Sequence, residues 1–105
     1  MRLFLFFYIA ILLSACGSEI NISDAEITNS ISHSDDFSTH TKIFFDATKK
    51  LVTQGSCSTS EISEVGGWMK SVINHPDKPV YFIYCGGMDR SNRIYLNAET
   101  GDLFK

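Results

Sequence analysis

Apolar and polar residues follow four successive rhythms along this chain. Residues 3–13 are an unbroken apolar run of Leu, Phe, Tyr, Ile and Ala. Residues 17–36 are polar, with isolated isoleucines at Ile20, Ile22, Ile27 and Ile31 and no aromatic residue. Over residues 39–74 the apolar positions recur at steps of three and four, the period of a helix with one buried face. From Val80 onward they alternate or run together with β-branched and aromatic residues, which is the signature of strands.

The helical stretch divides in two. In residues 39–54, Ile43, Phe44, Ala47, Leu51 and Val52 form one stripe, with Lys49 and Lys50 in the last turns, where positive charge suits the helix dipole. Asp35, Asp36, Ser38 or Thr39 can cap its start, and Gly55 is a natural left-handed stop. A second helix is predicted over residues 58–74. Ser58 and Glu61 have capping-box spacing, and Cys57 and Ile62 have the spacing of a hydrophobic staple. Its inner stripe would be Ile62, Val65, Met69, Val72 and Ile73, and His75-Pro76 would end it. Gly66-Gly67 interrupts this helix and admits two readings. Either the missing side chains let the first helix or a strand approach closely, which is the preferred one, or the pair is a break that presents Trp68 to a partner.

Residues 80–85 carry the strongest strand signal in the chain. Alternation sets Tyr81, Ile83 and Cys85 on one face and Val80, Phe82 and Tyr84 on the other. With Cys85 directed at the helices, the second face is apolar and uncovered, a candidate binding surface. Residues 86–92 read as a turn, 93–97 as the returning strand, 98–101 as a turn with Gly101 at a positive φ, and 102–105 as a short last strand. The predicted fold class is α+β: two helices followed by a three-stranded antiparallel β-meander, stapled by one disulfide. The phrase Ile94-Tyr95-Leu96-Asn97-Ala98-Glu99-Thr100-Gly101-Asp102-Leu103-Phe104 is similar to the strand–turn–strand ending of small PepSY-type modules. It covers about 11 residues of the chain, and no function is carried across from it.

The N-terminal run is bracketed by Arg2 and by Leu13-Ser14-Ala15-Cys16. A charged start, a short apolar region and small residues at a cleavage site make a secretory signal, and the run is too short to span a bilayer. Leu13-Ser14-Ala15-Cys16 resembles the lipobox of bacterial lipoproteins. The resemblance implies removal of residues 1–15, a diacylglycerol thioether on Cys16 and acylation of the new amino terminus. The chain would then be attached to the bacterial envelope through its lipid. Gly17, rather than the aspartate associated with inner-membrane retention, favours the outer membrane facing the periplasm. Residues 16–36 would be the lipidated cysteine and a flexible acidic tether, and residues 37–105 one small domain.

Of the 105 residues, removal of fifteen leaves 90, enough for a single small domain that benefits from an added staple. The cysteines are Cys16, Cys57 and Cys85. With Cys16 lipidated in an exported chain, Cys57 and Cys85 remain as an even pair in an oxidising compartment, where a disulfide is expected. Two buried thiols or a catalytic thiol are the alternatives. The net charge is −3, with five acids and no Lys or Arg between Gly17 and Asp36. Residues 37–105 are close to neutral and show no basic stripe, which argues against nucleic acid as a partner.

Candidate chemistry is sparse. His33, His40 and His75 lack metal-ligand spacing, although His33, Asp35, Asp36 and His40 are able to gather a weak cation. No cofactor motif is present. A thiol–imidazole pair of Cys57 or Cys85 with His75 is the enzymatic alternative. Arg90 and Arg93 flank the hairpin turn and, with Trp68, are the candidate partner-binding residues. The expected function is therefore that of a non-enzymatic, protein-binding or accessory lipoprotein of the envelope. A small thiol-dependent enzyme and a self-associating structural lipoprotein are the alternatives.

Overall fold

The computed structural model describes residues 22–105. The apolar run, the lipobox and Cys16 lie outside the described residues. Three α-helices precede a four-stranded antiparallel sheet: α1 (Asp24–Ile31), α2 (Phe37–Thr53), α3 (Thr59–Val65), β1 (Met69–Lys70), β2 (Val80–Tyr84), β3 (Arg93–Asn97) and β4 (Leu103–Phe104). The strand order is β1-β2-β3-β4, so the expected meander is present with one further strand at its front edge. The α+β class and the disulfide stand; the number of helices and strands changes.

The first change is α1, which occupies part of the stretch read as a tether. Ser23 and Glu26 have the spacing of a cap, and the Ser23 hydroxyl accepts from the Glu26 amide at 3.1 Å. Asp24 and Glu26 place negative charge at the start of the helix, where the dipole favours it. Eight residues are too few to hold a helix in water alone. Packing supplies the rest: Ile27 and Ile31, one turn apart, are wholly buried against α2 and α3. Thr59 at the head of α3 also donates to the Glu26 carboxylate at 2.6 Å. Ile27 and Ile31, which look isolated in sequence, are thus core residues, and Ile22 packs partly buried against them.

α2 begins two residues earlier than predicted and keeps its predicted face, with Phe44, Ala47, Leu51 and Val52 buried and Ile43 half-buried. Thr48 joins them, fully buried. The backbone at His40 departs from helical values, so the first turn is kinked. Asp36 holds the N-cap position at a φ of 54° but makes no capping bond. Its carboxylate instead accepts from the Tyr81 hydroxyl at 2.6 Å, which raises the Tyr81 phenol pKa through burial first and this carboxylate second.

The second change follows from Gly66-Gly67. The capping box of Ser58 and Glu61 forms as expected, but α3 ends at Val65 instead of running to Asn74. Gly66 and Gly67 are both left-handed, at φ 92° and 84°, a conformation that side-chain-bearing residues adopt only at a cost. The chain turns there and becomes β1. Close packing occurs at Gly67 alone, and against the end of α1 rather than the first predicted helix or a strand: a Cβ at Gly67 would run into the Ser34 hydroxyl and sit 3.3 Å from the Ile31 Cα, whereas one at Gly66 would meet open space. Gly66→Ala should therefore cost about 1 kcal/mol for its φ alone. Gly67→Ala should cost about 1–3 kcal/mol more for the collision. Urea denaturation of the two variants measures the difference, and equal midpoints would show that the close approach to α1 carries no energy.

Beyond the turn, β1 is tied to the α1–α2 junction. Trp68 donates its amide to the Ser34 hydroxyl at 2.8 Å and accepts the Asp35 amide at 2.9 Å. The Lys70 amide donates to the Asp35 carboxylate at 2.8 Å. Val72 and Ile73, expected on a buried helical stripe, lie in the following loop at 63 % and 86 % exposure. Sheet register pairs Met69 with Phe82, Phe82 with Tyr95, and Tyr95 with Phe104. Tyr81 and Ile83 face the helices as expected and are buried. Cys85 follows β2 and is bonded to Cys57 ahead of α3, with a Cα separation of 5.0 Å, within the normal range for a disulfide.

Candidate functional site

Phe82 and Tyr84 alternate onto the sheet face that turns away from the helices. The register brings Arg93 opposite Tyr84, Tyr95 opposite Phe82 and Phe104 opposite Tyr95. One β-branched and aromatic strand, paired with a second of the same kind, therefore builds a row of rings with a single cation among them. The Arg93 guanidinium lies 4.3 Å from the centre of the Phe82 ring, a cation–π contact. Its Nε and Nη2 donate to the Tyr84 hydroxyl at 3.0 and 2.9 Å, and its Nη1 to the Tyr95 hydroxyl at 3.4 Å. Tyr95 stacks on Phe104, with centroids 5.4 Å apart and planes 17° from parallel. All of these side chains except Phe104 are half-buried, and Phe104 is 39 % exposed.

These contacts shift the charges in a consistent direction. The phenols of Tyr95 and Tyr84 hold Arg93 still more firmly in its charged form. Arg93 in turn holds the Tyr95 phenol below its ordinary range. The ion pairs among the described residues are Lys42–Asp46 and Lys49–Asp24, so Arg93 faces no carboxylate there.

The loop between β1 and β2 closes one end of the face. Asn74 donates to the Tyr95 hydroxyl at 3.2 Å, and the His75 ring meets the rings of Tyr95 and Phe104 edge-on. The Ser71 hydroxyl and His75 Nδ1 lie 3.0 Å apart, and Lys70 Nζ donates to the carbonyls of His75 and Lys78, which fixes the loop. Val80, expected on the uncovered face, is only 2 % exposed at this end. A pocket of about 130 Å³ opens between the loop and the face, with Phe82 and Arg93 on one wall and Val72 and Ile73 on the other. That is well below the several hundred Å³ of typical small-molecule sites.

The candidate residues separate in space. Arg93 lies at the centre of the aromatic face. Arg90 is exposed in a short 3-10 turn, Arg90–Asn92, close enough to Tyr95 to act on its phenol. Trp68 does not belong to any surface: it is 0 % exposed, stacked on Phe44 and bonded through Nε1 to the Thr48 hydroxyl at 2.9 Å. The glycine break turns it inward rather than outward. Tyr95, Phe104, Asn74 and Ile73 are the contributors that sequence reasoning missed. The alternation of Arg93, Tyr95 and Asn97 in β3 carried the signal for Tyr95, but Phe104 needs the β3–β4 register and Asn74 needs the loop.

The other candidate chemistry is consumed by the fold. Cys57 and Cys85 are bonded to each other, and His75 is engaged with Ser71. Asp35 and Asp36 bind Lys70 and Tyr81, and the His40 ring packs against Phe44 and Tyr81. Among the described residues no three His, Cys, Asp or Glu side chains are grouped to hold a metal ion. A larger hollow of about 410 Å³ lies beside the disulfide, between Ile22, Val52, Cys57 and Thr59. Glu61 at its rim is committed to the Ser58 amide and, at 2.6 Å, to the Gly86 amide. Among the described residues no helix is long and apolar enough to cross a membrane. Comparison with family models, with curated proteins and with solved structures finds no match for this chain.

Proposed function

We propose that the chain is a lipid-anchored protein of the bacterial envelope, held through Cys16, whose disulfide-bonded domain binds another protein through the outer sheet face. The observation that carries this reading is the row Phe82, Tyr84, Tyr95 and Phe104 around Arg93. Aromatic residues and arginine are the types enriched at the centres of protein interfaces, and they dominate binding energy there. Export and lipidation rest on residues 1–16. Gly17 supports a location on the outer membrane, facing the periplasm. The thiol-enzyme alternative needs a free sulfur from Cys57 or Cys85, and these two are joined.

Photocrosslinking in cells that make the protein tests the reading. A benzophenone amino acid at Phe82 should give one discrete adduct with another protein, and the same group at Lys42, on the exposed side of α2, should give none. Intact mass of the adduct's own chain should show a start at Cys16 with added acyl mass. No adduct from position 82 sinks the binding reading, and an adduct with a second copy moves it to self-association. A start at any other residue without acyl mass sinks the lipoprotein reading.

A further inference from the structure

We propose that the centre of this face recognises a carboxylate, carried next to an apolar or aromatic residue on the partner protein; the inference rests on the protein-binding reading above. The argument is a count of hydrogen-bonding groups. A tyrosine hydroxyl accepts through two lone pairs and donates one proton. The Tyr84 oxygen accepts twice from Arg93, and the Tyr95 oxygen accepts once from Arg93 and once from Asn74. Both oxygens are therefore filled as acceptors, and each proton is left to donate elsewhere. Among the described residues neither hydroxyl has an acceptor. Arg93 uses three of its five N–H groups on these phenols, and two remain.

The centre thus offers four donor hydrogens and a positive charge, with no acceptor of its own to answer them. A carboxylate has about four lone-pair sites and a full negative charge, and bonds of this charge-assisted kind are the strong ones. The surroundings define what must accompany it. The Phe82 and Phe104 rings and the exposed Ile73 flank the donors, so a side chain beside the carboxylate finds an apolar seat on either hand. A phosphate headgroup would satisfy the donors equally well. Anionic bilayers, however, are held by clusters of four to eight basic residues. Here Lys70 and Lys105 are spent on backbone carbonyls, and the chain carries a net charge of −3.

The test titrates the processed, isotope-labelled protein in neutral detergent with two blocked tetrapeptides, acetyl-Phe-Asp-Leu-Glu-amide and its Asn/Gln counterpart. The acidic peptide should shift the Arg93 Nε–H and the amides of residues 82–84 and 93–95 saturably. It should bind about tenfold more tightly than the amide peptide. Arg93→Gln should abolish that preference, and Tyr84→Phe and Tyr95→Phe should each reduce it, while the Trp68 indole signal stays in place and reports an intact core. Equal binding of the two peptides, or no shift at about 5 mM, overturns the proposal. So does a response of the same signals to nanodiscs containing phosphatidylglycerol that exceeds the response to peptide. If these arms fail while the adduct from position 82 persists, only the carboxylate is wrong; if the adduct is missing too, the binding reading goes with it.

Discussion

Trp68→Ala should destabilise the domain by about 3–5 kcal/mol, the largest single effect expected in this protein. The indole is wholly buried, stacks on Phe44 at a centroid distance of 6.0 Å, and sits where α1, α2 and β1 meet. Phe44 in turn meets Tyr81 edge-on at 5.0 Å, so removing the indole opens a void beside the ring that joins helices to sheet. For a domain of this size each kcal/mol moves the melting temperature by roughly 4–8 °C, so a fall of at least 12 °C is expected. Chemical denaturation should agree. Trp68→Phe separates packing from hydrogen bonding: it keeps an apolar ring but strands the buried Thr48 hydroxyl, at about 1–3 kcal/mol. Adding Thr48→Val to that variant should recover part of the loss. An alanine variant that melts within a few degrees of the parent would mean that the indole is not the keystone of this core.

The second large effect is that of the disulfide. Replacing Cys57 and Cys85 together by alanine should cost about 3–4 kcal/mol, the chain-entropy value for a loop closed across a separation of 28 residues. The bond joins Cys57, just before the N-cap of α3, to Cys85, the residue after β2. In the unfolded chain it therefore restrains α3, β1 and β2 at once. The Gly86 amide bonded to Glu61 lies beside it, so the helix–hairpin contact retains one polar link when the sulfurs are gone. The double variant is expected to fold with a lowered urea midpoint. Reducing agent should lower the parent's midpoint to the same value and leave the variant's unmoved. A midpoint in the parent that ignores reductant would show that the bond contributes nothing to folding.

How much of this was legible beforehand depends on whether a signal was local. The buried stripe of α2, the capping box of α3, the left-handed stop at Gly55, the positive-φ turn at Gly101, and the division of β2 into two faces are each written within a few residues, and each was readable. α1 was missed although its cap spacing and its Ile27–Ile31 pair are local too. Polar composition outweighed them, and eight residues become helical only when neighbours supply the packing. The length of α3 was overestimated because Met69, Val72 and Ile73 keep a helical period past the glycines. Two consecutive positive-φ residues override that period, and β1 then gains its bonds from Phe82, Tyr81 and the distant Asp35. The same turn explains the misplacement of Trp68. A tryptophan following a break looks presented, but only the three-dimensional position of Thr48, 20 residues earlier, shows what receives its N–H. Of the outer sheet face, Phe82, Tyr84 and Arg93 were within reach of sequence, and the filled lone pairs around Arg93 were not.

The ties from Ser34 and Asp35 to Trp68 and Lys70 have a further consequence for assembly. They occupy the Trp68 amide and carbonyl and the Lys70 amide on the front margin of the sheet, groups otherwise open to a strand from another molecule. Among the described residues the opposite margin is β4, which is two residues long. A sheet with two available margins can add copies without limit and grow into fibres; a sheet with one can at most close into a pair. With the front margin tied to the α1–α2 junction, strand addition on that side is disfavoured.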